Sequence, residues 1–245
     1  PPRSTLFPYT TLFRSASDCL VFCNLRGTPR AEDVLVKSRY EQVWAYGPDG
    51  TLLWTSKLPG GYRTAHQARP IDLDGDGKDE IMAGYAMLNA DGSLRWTFQS
   101  GSVDLNRGHL DCMRVLEAGH RPEDFRLALT CCGANNIAVV NGVGETQWEI
   151  SGHHFESIQI GNILPERPAP QILVDIDHQP RGQGPLWVID AQGKPAAKIL
   201  TAYARQHRLV EWTGDAFDEI FNCDNRTLYN NQGQAIAVLV PSSNT

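Results

Sequence analysis

The stretch PIDLDGDGKDEIMAGYAMLNADGSLRWT, Pro70 to Thr97, carries three marks in close order: an acidic loop, an apolar run opened by Glu80, and a DG turn with a tryptophan four residues past its glycine. Short apolar runs bounded by Gly, Asp and Asn read as β-strands. Two of the marks recur along the chain. The acidic or amide residue before an apolar run returns as EDVLV at Asp33, EDFRLAL near Phe125, PQILVDI at Gln171 and DEIFN at Glu219, and the successive spacings are 47, 45, 46 and 48. The turn glycines Gly50, Gly92, Gly144, Gly193 and Gly233 follow in register, and Trp54, Trp96 and Trp148 each lie four residues beyond theirs.

Between the marks, each repeat has room for four short strands. In the first these are LVFCNL, DVLVKS, QVWAY and LLWTSK. Such a unit cannot bury both faces alone and must stack on neighbours around an axis, the pattern of a β-propeller. The expected fold is therefore all-β, a propeller of four-stranded blades at about 19–58, 66–100, 109–150, 154–200 and 207–240. AYARQHRL is the single helix candidate.

Residues 1–15, PPRSTLFPYTTLFRS, have prolines at 1, 2 and 8 and no signal-peptide layout. Back-translated, they resemble a sequencing-library adapter read in frame. They are set aside as non-native, and residues 16–245 are expected to be an arc of a larger propeller. Of the 22 basic residues, Arg3 and Arg14 fall in that segment, leaving 20 against 28 acidic ones. This balance argues against a nucleic-acid surface. No run approaches the roughly 18 apolar residues of a membrane span. The six cysteines form no paired CxxC knuckles and read as buried thiols, with a Cys19–Cys23 or cross-blade disulfide as the alternative. Oligomeric state leaves no mark.

In DLDGDGKDE, Asp72, Asp74 and Asp76 stand at alternate positions, Lys78 offers a main-chain carbonyl and Glu80 a terminal carboxylate, with Gly75 and Gly77 permitting the curl. Alternating oxygen ligands suit a hard cation, and one structural Ca²⁺ is expected here. The spacing resembles the calcium-binding FG-GAP or VCBS repeat of integrin-type propellers. The wider wording, VLVKSRYEQVWAYGPDGTLLW followed by PIDLDGDGKDEIMAGYAMLNADGSLRW, resembles propeller polysaccharide lyases related to the rhamnogalacturonan and ulvan lyases, well over two blades and weakly beyond.

Strand counting separates the two faces. The acidic loop is the connection after an innermost strand, whereas the residues preceding innermost strands share the opposite face with each blade's second connection. That face gathers His66, His109, His153, His154 and His207, with Arg39, Tyr40, Tyr85, Arg107, Asn135, His178, Arg181 and Arg226. Clustered imidazoles also suit a transition metal, or serve as structural hydrogen-bonding groups.

The lyase resemblance implies an extracellular or periplasmic enzyme that cleaves an acidic, rhamnose-containing polysaccharide by β-elimination. Arg39 would neutralise the uronate, with Ca²⁺ or Arg107 as substitutes. His109 or His154 would be the base, and Tyr40 or Tyr85 the acid. His66, His153, Arg107, Asn135, His178, Arg181, His207 and Arg226 would bind substrate. The alternative is a non-catalytic calcium-stabilised propeller that binds glycan or protein.

Overall fold

A computed structural model of the chain describes residues 16–168, 170–177, 184–201 and 206–240. Five antiparallel four-stranded sheets follow one another in sequence. The first holds β1 (Ala16–Cys23), β2 (Asp33–Ser38), β3 (Gln42–Tyr46) and β4 (Leu52–Lys57). The second holds β5 (Thr64–Ile71), β6 (Glu80–Gly84), β7 (Ala86–Leu88) and β8 (Leu94–Thr97), and the third β9 (His109–Glu117), β10 (Arg126–Cys132), β11 (Asn136–Val140) and β12 (Thr146–Ser151). The fourth holds β13 (Phe155–Gly161), β14 (Gln171–Ile176), β15 (Gly184–Ile189) and β16 (Pro195–Thr201), and the fifth β17 (His207–Val210), β18 (Glu219–Asn222), β19 (Thr227–Tyr229) and β20 (Ala235–Val238). Every sheet pairs its strands in chain order, as propeller blades do. Among the described residues only three one-turn 3₁₀ segments are helical. Of the helix candidate AYARQHRL, residues 202–205 lie outside the described residues and His207 opens a strand.

Apolar residues collect between blades rather than within them. One cluster joins Leu35 and Val43 of the first blade to Ile81 and Leu88 of the second, and another joins Met82 and Met87 to Leu127 and Val140 of the third. A third joins Ile137 and Val139 to Ile172 and Val174, and a fourth joins Leu186 and Ile199 to Ile220 and Tyr229. The middle strands β10, β11 and β14 are buried along almost their whole length because each is covered on both faces. The outer strand β4 is largely open to solvent.

The repeated marks now have physical roles. Each tryptophan reaches forward onto the next blade: Trp54 Nε1 donates to the Ala90 carbonyl (2.9 Å), Trp96 Nε1 to Gly142 (2.9 Å) and Trp148 Nε1 to Ala191 (3.0 Å). The indoles lie against the next turn glycine, so a Cβ on Gly92 would stand 2.6 Å from Trp54. With φ near +82°, Gly92 is also in the region that favours glycine. The acidic or amide residue opening a second strand caps the loop before it. Asp33 accepts from Leu25 N, Glu80 from Leu73 N, Gln171 from Leu164 N and Glu219 from Trp212 N. An inter-blade clasp recurs as well: Asn24 and Asp79 exchange main-chain and carboxylate hydrogen bonds, and Asn162 and Asp218 repeat the arrangement.

The six cysteines are thiols rather than disulfides, and Cys23, Cys112, Cys131 and Cys132 are buried. The Cys19–Cys23 disulfide is not formed.

Candidate functional site

The innermost strands stand side by side in chain order, β1 by β5, β5 by β9, β9 by β13 and β13 by β17. At their shared end a cavity of about 400 Å³ opens, with residues from every blade: Arg39, then His66 and Gln67, then Asp111 and Arg114, then Glu156 and Gln159, then Gln206 and Arg208. The DLDGDGKDE loop joins the other ends of β5 and β6.

The loop carrying Arg39 and Tyr40 is pinned from several sides. Ser38 Oγ accepts from Gln42 N (2.9 Å), the Tyr40 carbonyl accepts from Thr64 N (3.1 Å), and the buried Lys37 ammonium donates to the Arg39 carbonyl. Tyr40 thereby meets the histidines of the next two blades, with ring centroids 5.6 Å from His66 and 4.8 Å from His109. His66 and His109 stand edge to face at 4.5 Å. The guanidinium groups of Arg39 and Arg63 lie 5.3 and 5.7 Å from the Tyr40 ring centroid, within reach of a cation–π attraction.

These rings are not equivalent. His66 lines the cavity with a quarter of its side chain exposed, and its Nε2 lies 3.9 Å from an Asp111 carboxylate oxygen. His109 is buried beneath, and its Nε2 makes no hydrogen bond among the described residues. Burial, reinforced by His66, Arg63 and Arg39, pushes the His109 imidazole down to about 4, so it is neutral at physiological pH.

A second cluster sits where the third blade meets the fourth. His154 Nε2 lies 3.2 Å from Cys132 Sγ and 2.9 Å from Glu156 Oε1, while its Nδ1 faces Asn135 Oδ1 at 3.2 Å. Behind it, burial pushes the Asp175 carboxyl up to about 8, the Glu156 charge adding to the shift and the Ser157 N–H opposing it.

Other expected site residues are turned away. Tyr85 is fully buried against Tyr62 and Phe98, with its phenol pushed strongly upward by burial. It does not line the cavity. His207 is also fully buried, and its neighbours Gln206 and Arg208 line the cavity in its place. β5, β9 and β13 each shift register against their partners near the cavity end, which re-aims side chains, whereas β17 pairs with β18 without a shift. His153 packs on Trp187 and Phe155 in the fourth blade. Arg107 and Arg226 are exposed and do not line the cavity. His178 and Arg181 lie outside the described residues.

Asp111, Glu156, Arg114 and Arg208 were not anticipated. Two of them carry a signal: GHLDC and HHFE each place a carboxylate two residues after a histidine, and in a strand such residues share a face.

Among the described residues, three groups bring metal-binding atoms within 4.8 Å of one another: His66, His109 and Asp111; Cys132, His154 and Glu156; and Asp72, Asp74 and Glu80. In the last group, Arg95 bridges Asp74 (2.9 Å) and Glu80 (2.8 Å), while Asp72 accepts from Gly75 N and Gly77 N. Asp76 accepts from Lys78 N and pairs with its ammonium.

Residues 34–120 match a family model described as the lambda-carrageenase beta-propeller domain. Lambda-carrageenases of Pseudoalteromonas sp and Pseudoalteromonas carrageenovora are 37% identical over 78 residues, which is 29% of this chain and 8% of theirs. The rhamnogalacturonan lyase PL11 of Bacillus licheniformis superposes with a TM-score of 0.64 at 19% identity, covering 91% of this chain and 38% of that one. The biofilm matrix protein Bap1 of V. cholerae superposes with a TM-score of 0.60 at 11% identity, covering 94% of this chain and 62% of that one. The chain thus spans a small part of the length of the carrageenases and well under half of the lyase, and the two superpositions establish the propeller fold alone.

Proposed function

We propose that this propeller degrades an acidic polysaccharide laid across the axial cavity, by β-elimination at a uronate. Arg39 and Arg114 flank the cavity and pair with the carboxylate, which makes the adjacent C–H acidic. His66 removes that proton. The electron pair forms the C4–C5 double bond, the C4–O bond to the neighbouring sugar breaks, and the leaving oxygen takes the Tyr40 phenolic proton. His66 takes the base role in preference to His109 or His154, because His109 is covered by the Tyr40 and His66 rings and His154 is engaged with Cys132 and Glu156.

The observation that carries this reading is that His66 and Asp111 line one open cavity with Arg39 and Arg114, with the Tyr40 ring centroid 5.6 Å from that of His66. The neutral His109 under His66 allows the latter to accept a proton without a like charge at its back. A polymeric substrate also places the protein outside the cytoplasm. We further propose one structural Ca²⁺ held by Asp72, Asp74 and Asp76 with the Lys78 carbonyl. Glu80 acts there chiefly as the loop cap that Asp33, Gln171 and Glu219 provide in other blades.

A second reading, hydrolysis, is favoured by Asp111 and Glu156, both of which line the cavity and could act as a carboxylate pair. The test is incubation of the protein with rhamnogalacturonan, ulvan and lambda-carrageenan, followed by chain-length analysis of the products. Shortening with unsaturated non-reducing ends supports elimination, shortening with saturated ends supports hydrolysis, and binding without shortening leaves a glycan-binding propeller.

A further inference from the structure

We infer that Cys132, His154 and Glu156 form a binding site for a Zn²⁺-class cation that clamps the third blade to the fourth.

Cys132 ends β10, whereas His154 immediately precedes β13 and Glu156 lies within it, so the three ligands come from two blades. A tetrahedral ion with bonds of roughly 2.0–2.3 Å to sulfur, nitrogen and oxygen needs ligand atoms roughly 3.4–3.6 Å apart. The separations here are 3.2 Å from Sγ to Nε2, 2.9 Å from Nε2 to Oε1 and 3.6 Å from Sγ to Oε1. Movements of about half an ångström therefore bring all three onto one face of the tetrahedron.

Asn135 supplies independent support. Its side-chain oxygen can only accept, so at 3.2 Å it takes the proton of His154 Nδ1. In the neutral ring this leaves the Nε2 lone pair directed toward Cys132 and Glu156, the outer-shell arrangement common to metal-bound imidazoles. Asn135 reaches this position with φ of 59°, a left-handed conformation uncommon for a residue other than glycine. Without an ion, the thiol proton or a proton on Nε2 is shared among Sγ, Nε2 and Oε1, and a bound cation displaces that proton and takes its place among the three donor atoms. Mixed sulfur, nitrogen and oxygen donors suit Zn²⁺ or Co²⁺ and do not suit Ca²⁺ or Mg²⁺. Cys132 and Glu156 are buried and His154 is partly exposed, so water completes the coordination on the His154 side.

The site is tested with Co²⁺ as a spectroscopic substitute in the full chain. Saturating Co²⁺ should give an ultraviolet thiolate-to-cobalt charge-transfer band together with visible bands of tetrahedral intensity. Zn²⁺ should displace them and raise Tm. Both the band and the Tm rise should vanish in His154→Ala, which keeps every cysteine, and in Cys132→Ser, whose fold is checked by circular dichroism. Asp72→Asn, in the acidic loop on the opposite face, should leave both intact. A folded wild-type protein without the charge-transfer band at saturating Co²⁺, or a band that survives His154→Ala, overturns the site.

Discussion

The imidazoles of His66 and His109 stand edge to face with ring centroids 4.5 Å apart, one open to the axial cavity and the other buried beneath it. On the proposed chemistry the exposed ring reacts and the buried one holds it. His66→Gln and Tyr40→Phe should each lower kcat on the responsive polymer by roughly 10²–10⁴-fold, the usual range for losing a general base or acid. Tyr85→Phe, altering a phenol sealed in the core, should leave kcat within about twofold of wild type. Steady-state kinetics on the three variants checks this, and equal losses at Tyr40 and Tyr85 would remove the basis for choosing between them.

Two buried groups set opposing pH trends in stability. Folding moves His109 from about 6.5 to about 4. Within that window the unfolded chain holds the extra proton, so stability falls as pH drops from roughly 6.5 toward 4. Folding moves Asp175 the other way, from about 3.9 to about 8. Here the folded chain holds the proton that the unfolded chain releases, so stability falls as pH rises through roughly 4 to 8. Urea midpoints should show His109→Asn losing less than wild type on acidification. Asp175→Asn, which keeps the acceptor for Ser157 N, should gain on wild type as pH rises.

The tryptophan latches tie each of the first three blades to the next. Trp54→Ala removes both the hydrogen bond to Ala90 and the packing on Gly92, and should cost about 2–4 kcal/mol. Gly92→Ala places a methyl 2.6 Å from the indole at a positive φ, and should destabilise through strain and displacement of the ring. Chemical denaturation measures both, and the pair should be less than additive because the two changes disrupt the same contact.

For the acidic loop, Ca²⁺ should raise Tm and a chelator should lower it. The response should be lost in Asp72→Asn and Asp74→Asn, while Arg95→Gln, which frees Asp74 and Glu80 from their ion pairs, should increase Ca²⁺ affinity. Calorimetric titration reads the affinity directly, and a Tm indifferent to Ca²⁺ would assign the loop to Arg95 alone.

The strand pattern, the blade period and the separation of the faces were legible in the sequence because Glu80, Gly92 and Trp96 and their counterparts report geometry that every blade must satisfy. The side-chain composition of the cavity was only partly legible. Histidine spacing identified His66 and His109 near the axis, but it could not report that β17 lacks the register shift of β5, β9 and β13 and presents Gln206 and Arg208 to the cavity while His207 is sealed. Tyr85 stands at the same connection as Tyr40 one blade earlier, yet Tyr62 and Phe98 bury it. Asp111 and Glu156 were readable from their offset of two from His109 and His154. Cys132 was not, because its partner His154 comes from the next blade and lies 22 positions away.

The most direct measurement is the ultraviolet absorbance of an unsaturated uronate during incubation with rhamnogalacturonan, wild type beside His66→Gln. The account predicts rising absorbance for wild type and loss of that rise in a variant that still folds and still binds the polymer. Polymer bound or shortened by the wild type with no rise in absorbance would contradict elimination at this face.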